Sequence, residues 1–467
     1  MKPPRPKVGV LALTLDLYET LAPSLRQSRE AWLRREVLPA VEPLADVRFE
    51  RAVFRREDIE ATVARCEDEG ADALLVVLLT YSPSLIALPA LRRTKLPILI
   101  WNVQELAGVD ESFDQAAMID NHGVHGTQDL ANVLLRSGVP FEYVTSHLSD
   151  SGALEGVRRF ITAAGAAGRV RRARVGLMGY PFPGMGDFAV DPAQLSAALG
   201  VQVVQASVQD YVERAAAADE QAARSLVKEY RRLYDVAEGI AEADLAATAR
   251  AELAMRGIAA DLRLDALTYQ FMAFGENERT ETVPFVAASR MMADGIAFAG
   301  EGDVIGATGA LLLSALKPPA TFSEIFTIDF AGNAVFMSHM GEMNAAMARK
   351  DRKVPVVARS TPITPTRRGQ LTLEITLQPG PATLLALTLG PAGRWRIIAS
   401  AAEIVDFATR RSMEVPYFKL KPGRDVREFL TAYAKAGGPH HNAVCFGDAR
   451  ALIRQAAAIL NADYVEV

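Results

Sequence analysis

The chain has 467 residues, half of them hydrophobic, which is too many for one core and predicts two or three domains. A formal net charge of −5, with no cluster of lysine and arginine beyond residues 169–174, leaves no positive surface for nucleic acid or an anionic membrane. Two cysteines, Cys66 and Cys445, exclude a disulfide framework and lack metal-ligand spacing, as fits a reducing cytoplasm.

Met1-Lys-Pro-Pro-Arg-Pro6 runs directly into the strand-like Lys7-Val-Gly-Val-Leu-Ala-Leu13, without a hydrophobic signal segment, so a cytoplasmic protein is expected. No stretch approaches the roughly 18 to 20 apolar residues of a membrane span. Apolar strands then alternate with helical stretches: Val8 to Leu13, helix Ser24 to Val37, strand Val47 to Ala52, helix Asp58 to Glu69, strand Ala73 to Leu79 and strand Leu96 to Trp101. Continuous apolar strands separated by helices predict a parallel sheet covered on both faces, a flavodoxin- or Rossmann-like α/β domain over residues 1–168. After the small-residue run Ala163-Ala-Gly-Ala-Ala-Gly168 a strand at 171–179 echoes the beginning and opens a second parallel α/β domain over 169–315, rich in helices at 207–256 and 284–294. Its loop Gly179-Tyr-Pro-Phe-Pro-Gly-Met-Gly186 lacks the Lys-Ser/Thr ending and spacing of a nucleotide-binding loop and reads as a turn.

Beyond Lys317-Pro-Pro319 the runs Leu371 to Leu377, Leu384 to Leu389 and Trp395 to Ala399 are short and β-rich, bounded by Pro379-Gly-Pro381 and Gly390-Pro-Ala-Gly393 turns. They predict a small antiparallel barrel or sandwich in a C-terminal domain over 316–467. The tail returns to α/β habit: strand Ala443 to Phe446, Asp448 as N-cap, helix Ala449 to Leu460 and strand Tyr464 to Val467.

Only six histidines occur, and three fall in short distinctive motifs with two glutamates: Glu301 in Phe298-Ala-Gly-Glu-Gly-Asp303, Glu324 in Thr321-Phe-Ser-Glu324, His339 in Met337-Ser-His-Met340, and His440-His441 in Gly437-Gly-Pro-His-His441. Taken singly, Glu301 and Glu324 are ordinary solvated loop or strand carboxylates and His339 an ordinary core histidine. Taken together, two carboxylates and two imidazoles suit one divalent ion such as Mn²⁺, with coordination positions left for a bidentate ligand. Either His440 or His441 can complete the set, the other standing behind it.

These motifs, in this order, resemble the L-arabinose isomerase family, most specifically at Met292-Ala-Asp-Gly-Ile-Ala-Phe-Ala-Gly-Glu-Gly-Asp303 and then through Phe322-Ser-Glu324, Ser338-His-Met340 and Gly437-Gly-Pro-His-His441. The resemblance runs nearly the full length, thinly over 190–270, and implies three domains, a relation in fold to L-fucose isomerases, and Glu301, Glu324, His339 and His441 as ligands of a divalent metal, foremost Mn²⁺. His122-Gly-Val-His-Gly126 resembles the family's His-Gly loop, whose second histidine, here His125, reaches the sugar of a neighbouring subunit; a homo-oligomer with sites near subunit interfaces is implied. Thr80-Tyr-Ser-Pro83 and Gln104 also resemble family segments, and Leu17, Met185 and Phe274 match positions that line the sugar pocket, although such residues are also ordinary core material. One departure stands out: Leu15-Asp16 precedes Leu17-Tyr18 where the family usually carries Gln-His, which leaves open which sugar is bound.

Moving a carbonyl between C1 and C2 of an open-chain pentose or deoxyhexose removes a proton beside the carbonyl and returns it to the neighbouring carbon. Two carboxylates do this as base and acid through a cis-enediol, with a metal supplying Lewis acidity; Glu301 and Glu324 are the expected pair. The expected enzyme is thus a sugar ketol-isomerase, an intramolecular oxidoreductase with a small-molecule sugar as its partner. The same electrophile serves epimerisation or aldol cleavage, and a sugar-binding relative without turnover is a third reading, against which retention of both glutamates counts.

Overall fold

The computed structural model describes residues 5–467, which divide into two compact units, residues 5–168 and 169–467. The first is built on five parallel strands, β1 (Lys7–Leu13), β2 (Asp46–Arg48), β3 (Ala73–Leu78), β4 (Ile98–Asn102) and β5 (Glu142–Thr145), in the order β2-β1-β3-β4-β5. That is the flavodoxin-like order, whose switch point lies between β1 and β3 and opens a crevice at their carboxyl ends. β3 is buried at every position, as a strand covered on both faces must be. The strand expected over Val47 to Ala52 is only three residues long, and the chain rejoins the sheet edge through a single bridge from Val53 to Leu13.

The run 163–168, at whose end the two units divide as expected, is helical: it lies inside the helix Glu155–Arg171. Its alanines are the best helix formers, and the first of its two glycines has a packing role: a Cβ on Gly165 would lie 2.7 Å from the Pro6 ring.

In the second unit, β6 (Arg174–Met178), β7 (Gln202–Ala206), β9 (Ala266–Tyr269) and β10 (Ala297–Gly300) form a second all-parallel sheet in the order β10-β9-β6-β7. Six antiparallel strands follow: β11 (Ala320–Asp329), β12 (Ala334–Ser338), β15 (Gly380–Leu389), β16 (Trp395–Val405), β17 (Tyr417–Pro422) and β18 (His441–Phe446). They run β15-β18-β11-β12-β17-β16, and β16 pairs back onto β15 over ten residues, so the sheet closes into a barrel without free edges. β19 (Asp463–Glu466) adds in parallel to β16.

Two sequence expectations change here. Leu371 to Leu377 does not enter the barrel: β14 (Leu371–Leu373) pairs with β13 (Pro355–Ala358), which pairs with β8 (Asp235–Val236), in a separate three-stranded sheet. Ala443 to Phe446, expected to resume α/β order, is a barrel stave hydrogen-bonded to β11 and β15. Both errors share a cause, since a short apolar run reports strand character but not its partner.

The helix Val304–Leu316 has ten buried residues and packs against β6, β9 and β10 on one side and β11, β15 and β18 on the other, which is why it is apolar all round. Nearby, Glu252 is fully buried and accepts hydrogen bonds from Tyr230 Oη at 2.7 Å, Arg256 Nε at 2.8 Å and Arg290 Nε at 2.9 Å. Truncating one partner of a buried network strands the other charges, so Glu252→Ala is expected to cost about 3–5 kcal/mol. Urea unfolding measures this, and a midpoint unchanged from the parent protein contradicts it.

Candidate metal centre and its surroundings

Barrel register assembles half of the site. Along β11, Glu324 stands opposite Ser338 on one neighbour and His441 on the other, so its carboxylate lies beside the imidazole of His441 and next to His339, which follows Ser338 directly. Opposed residues on antiparallel strands share a face, and one register slip would separate them.

The turn after β10 supplies the rest. Gly300 admits the ring of His339, because a Cβ there would come within 2.4 Å of Cε1. Glu301 holds φ +63°, a left-handed conformation uncommon for residues other than glycine, of the kind that clusters at functional sites. Gly302, at φ +79°, passes under Tyr180, whose carbonyl oxygen would lie 2.4 Å from an added Cβ. Asp303 caps the helix Val304–Leu316, accepting from the Gly306 amide at 2.7 Å, while its other oxygen lies 2.9 Å from His441 Nδ1. Each residue of Gly-Glu-Gly-Asp thus has a geometric reason.

Five side chains converge in two overlapping groups, Glu301-His440-His441 and Glu324-His339-His441, with the candidate ligand atoms of each group within 4.8 Å of one another. His441 belongs to both. The structure therefore brings Glu301, Glu324, His339 and His441 together and adds His440, whose Nε2 and that of His441 each lie 3.7 Å from Glu301 Oε2. Each imidazole is held from behind by a carboxylate: His339 Nδ1 by Glu342 Oε2 at 2.6 Å, His441 Nδ1 by Asp303 Oδ2 at 2.9 Å, and His440 Nδ1 by Asp187 Oδ2 at 2.6 Å. With Nδ1 engaged, all three Nε2 atoms face the cluster without a hydrogen-bond partner. Buried ring nitrogens left unpaired opposite carboxylates could hold a divalent cation, and a carboxylate behind each imidazole is the usual support of such a ligand. Tyr269 Oη extends one line further by donating to Glu342.

The electrostatics differ from group to group: burial lowers His339, but Glu342, Glu324 and Glu301 outweigh it and raise this imidazole above its ordinary value. Burial opposes ionisation of Glu301, but His440, His339 and His441 outweigh it and hold this carboxyl below its usual range. Glu324 is raised by burial, and burial pushes Asp303 up to about 7. Burial and the neighbouring imidazoles of His440 and His339 keep His441 well below the ordinary histidine value, hence neutral and ready to ligate. Burial works against the charge of His440, yet Glu301 and Asp187 push it up to about 9.

Of the remaining sequence candidates, Met185 is half-buried in the loop after β6, and Phe274 is wholly buried with its ring edge-on to Tyr211 and Tyr269. Leu17 and His125 belong to the first unit. Leu17 is 56 % exposed at the start of the short helix Tyr18–Leu21, in the connection that leaves β1, on the switch-point side of the sheet. His125 is exposed on the helix Val124–Arg136 and stacks on Tyr81 at 4.8 Å between centroids, and Tyr18 Oη reaches His122 Nε2 at 2.7 Å. Gln104 donates to the Leu106 carbonyl at 2.7 Å. Sequence reasoning did not assign the supporting carboxylates Asp187, Asp303 and Glu342. Asp303, two residues after Glu301 in the same motif, and Glu342, three residues after His339, left a local signal, and Asp187 left none.

Residues 177–317 match the L-arabinose isomerase central domain and residues 319–463 the L-arabinose isomerase C-terminal domain. These are domains of sugar ketol-isomerases, which are intramolecular oxidoreductases. The chain belongs to the L-arabinose isomerase family. It is 28 % identical over 423 residues to the L-arabinose isomerase of Acidothermus cellulolyticus, covering 84 % of this chain and 81 % of that one. To L-arabinose isomerase 1 of Bacillus licheniformis it is 25 % identical over 390 residues, with 81 % and 77 % covered, and to the enzyme of Anoxybacillus flavithermus 24 % over 436 residues, with 90 % and 85 % covered. Among the described residues no helix is long and apolar enough to cross a membrane.

Proposed function

We propose that this protein is a divalent-metal-dependent aldose–ketose isomerase acting on an open-chain pentose or deoxyhexose. The observation that carries the proposal is the convergence of three unpartnered imidazole Nε2 atoms with the carboxylates of Glu301 and Glu324. Glu301, Glu324, His339 and His441 hold the ion, foremost Mn²⁺, which accepts such a mixed set of two carboxylates and two imidazoles. When bound, the ion supplies Lewis acidity toward two sugar oxygens and the enediolate charge.

The proton work belongs to the chain. One glutamate takes the proton from the carbon beside the carbonyl and returns it to the former carbonyl carbon, and the other moves a proton from the C2 oxygen to the C1 oxygen, so that the sugar passes through a cis-enediol to the ketose with no net change in protons. Glu301 sits on a stiff left-handed turn and Glu324 on a closed barrel, so both carboxylates are fixed before the sugar arrives. The three domains of the reading, 1–168, 169–315 and 316–467, divide this labour: the second carries Glu301 and the third the other ligands. His125, with Leu17, Met185 and Phe274, shapes the sugar's surroundings, and a closed homo-oligomer in which His125 serves a neighbour's site follows from that role. Sedimentation run beside the assay tests the assembly; a fully active monomer contradicts it.

The function is tested by incubating metal-stripped and Mn²⁺-loaded protein with a panel of pentoses and 6-deoxyhexoses, resolving ketose, epimer and cleavage products. Ketose formed only with metal is expected. An epimer or cleavage product in its place means that the enediolate is used differently, and sugar binding without product means that the site does not turn over.

A further inference from the structure

Two loops anchored beside His339 carry arginines without carboxylate partners. Residues 359–370 join β13 to β14, and residues 406–416 join β16 to β17. Arg359 Nη1 donates to the Met340 carbonyl at 2.6 Å, and Ser338 Oγ donates to the Pro416 carbonyl at 2.7 Å, so each loop is fixed to a neighbour of His339. The loops are also tied to each other, because Glu414 Oε2 accepts from the amide and the hydroxyl of Ser360 at 2.7 and 2.8 Å. Glu374 Oε2 accepts from the amides of Met413 at 3.0 Å and Glu414 at 3.1 Å. Both acids are thus engaged by amide and hydroxyl donors. Between Asp351 and Glu374 the sequence holds no acidic residue, but it holds Arg352, Lys353, Arg359, Arg367 and Arg368, in a chain of net charge −5. Arg359, Arg367, Arg368, Arg410 and Arg411 form no ion pair among the described residues. Four of them are exposed, whereas Arg359 is half-buried with its guanidinium over the Phe285 ring. Burial lowers its pKa from the ordinary arginine value, and Glu342 and Glu414 oppose this from beyond ion-pair distance. Its Nε and Nη1 are taken by the carbonyls of Thr361 and Met340, while Nη2 has no hydrogen bond and is not sealed from solvent. A guanidinium fixed by carbonyls with one edge free is prepared to receive a carboxylate or phosphate oxygen.

We propose that these loops form an anion-binding rim of the isomerase site, and that its substrate is an open-chain aldose with a phosphate ester or a carboxylate at the end away from the carbonyl. The inference rests on the isomerase reading above and narrows its sugar. The carbonyl end belongs to the metal centre, which leaves the far end of the chain to side chains outside it. Arg359 takes the charged group through Nη2, and the four exposed arginines add a field that draws an anion in. A neutral sugar gives Arg359 nothing to offset its partial desolvation, whereas an anion does. Binding energy gained at a remote charged group also helps to hold the reacting end in place.

The test uses polyols that cannot turn over: a pentitol, the corresponding pentitol 5-phosphate and a hexonate, each titrated calorimetrically into the full-length protein loaded with Mn²⁺. One of the two anions is expected to bind at least about 30-fold more tightly than the neutral pentitol, as hydrogen bonds to charged groups allow, and which one it is distinguishes phosphate from carboxylate. In Arg359→Gln, which keeps a donor but not the charge, this advantage is expected to shrink to about 3-fold or less. The double variant Arg410→Ser/Arg411→Ser is expected to weaken the same anion about 2- to 5-fold, and less at high salt. Equal binding of all three polyols overturns the inference. An anion preference that survives intact in Arg359→Gln, as it does for an anion held by the ion alone, also overturns it. So does inorganic phosphate binding as tightly as the pentitol phosphate, which marks an adventitious ion only. If Arg359→Gln does not fold, the exposed double variant decides: an unchanged preference there contradicts the rim. These titrations need no turnover. A parent protein that prefers the anion but converts no aldose, charged or neutral, fails the isomerase reading alone, and one that converts neutral aldoses without preferring an anion fails this inference alone.

Discussion

Glu301→Gln and Glu324→Gln, each saturated with Mn²⁺, are expected to turn over the best sugar at least about 100-fold more slowly than the parent. Glutamine keeps the shape of the side chain and one ligating oxygen but has no basicity, and general acid–base groups contribute typically 10²- to 10⁴-fold. Each variant also binds the ion more weakly, so the comparison is made at saturating metal and on kcat. The two positions differ in how their carboxylates are held. Glu301 is drawn below the usual carboxylate range by three imidazoles, and Glu324 is raised by burial. Environments that separate two carboxyl groups in this way favour a division into base and acid. Near-parental kcat in either fully loaded variant makes that glutamate a ligand only and removes it from the proton path.

Asp303→Asn is expected to lower Mn²⁺ affinity about 10- to 100-fold, the usual consequence of weakening the group behind a ligating imidazole. The substitution separates two duties of one side chain. Asparagine caps a helix as well as aspartate does, so the bond from Gly306 and the helix Val304–Leu316 survive and stability changes by less than about 1 kcal/mol. Its amide, however, no longer offers His441 Nδ1 a charged acceptor. Calorimetric titration of metal-free protein reads the affinity and urea unfolding reads the stability. Equal affinity in variant and parent contradicts the role assigned to Asp303, and a large stability loss with equal affinity reduces it to a cap.

What the sequence made legible follows from what each signal depends on. A parallel strand that is a continuous apolar run is a local signal: β1, β3 and β4 lie within a residue or two of their expected places and β6 begins three residues after its own, while β5, β7, β9 and β10 were not singled out. The ligand motifs are legible because Gly300-Glu-Gly-Asp303 packs four constraints into four residues: a ring-admitting glycine, a left-handed glutamate, a glycine beneath a carbonyl and a cap. Asp187 was illegible because its partner lies 253 residues away, and the bond from His441 to Asp303 spans 138. No local period records such a pairing. The helix Val304–Leu316 was passed over because it is buried on all sides and shows no amphipathic rhythm. Barrel closure was visible only as class: β-rich runs were evident, but whether Leu371 or Ala443 enters the barrel depends on strand partners that composition does not encode.

The central claim is that one ion is held by Glu301, Glu324, His339 and His441. Crystals grown with Mn²⁺ and measured at the manganese absorption edge test it most directly. The expected result is a single anomalous peak about 2.0–2.2 Å from a carboxylate oxygen of each glutamate and from Nε2 of His339 and His441, with His440 beyond bonding distance. A peak elsewhere, one ligated by His440 in place of His441, or none at saturating Mn²⁺, contradicts the account.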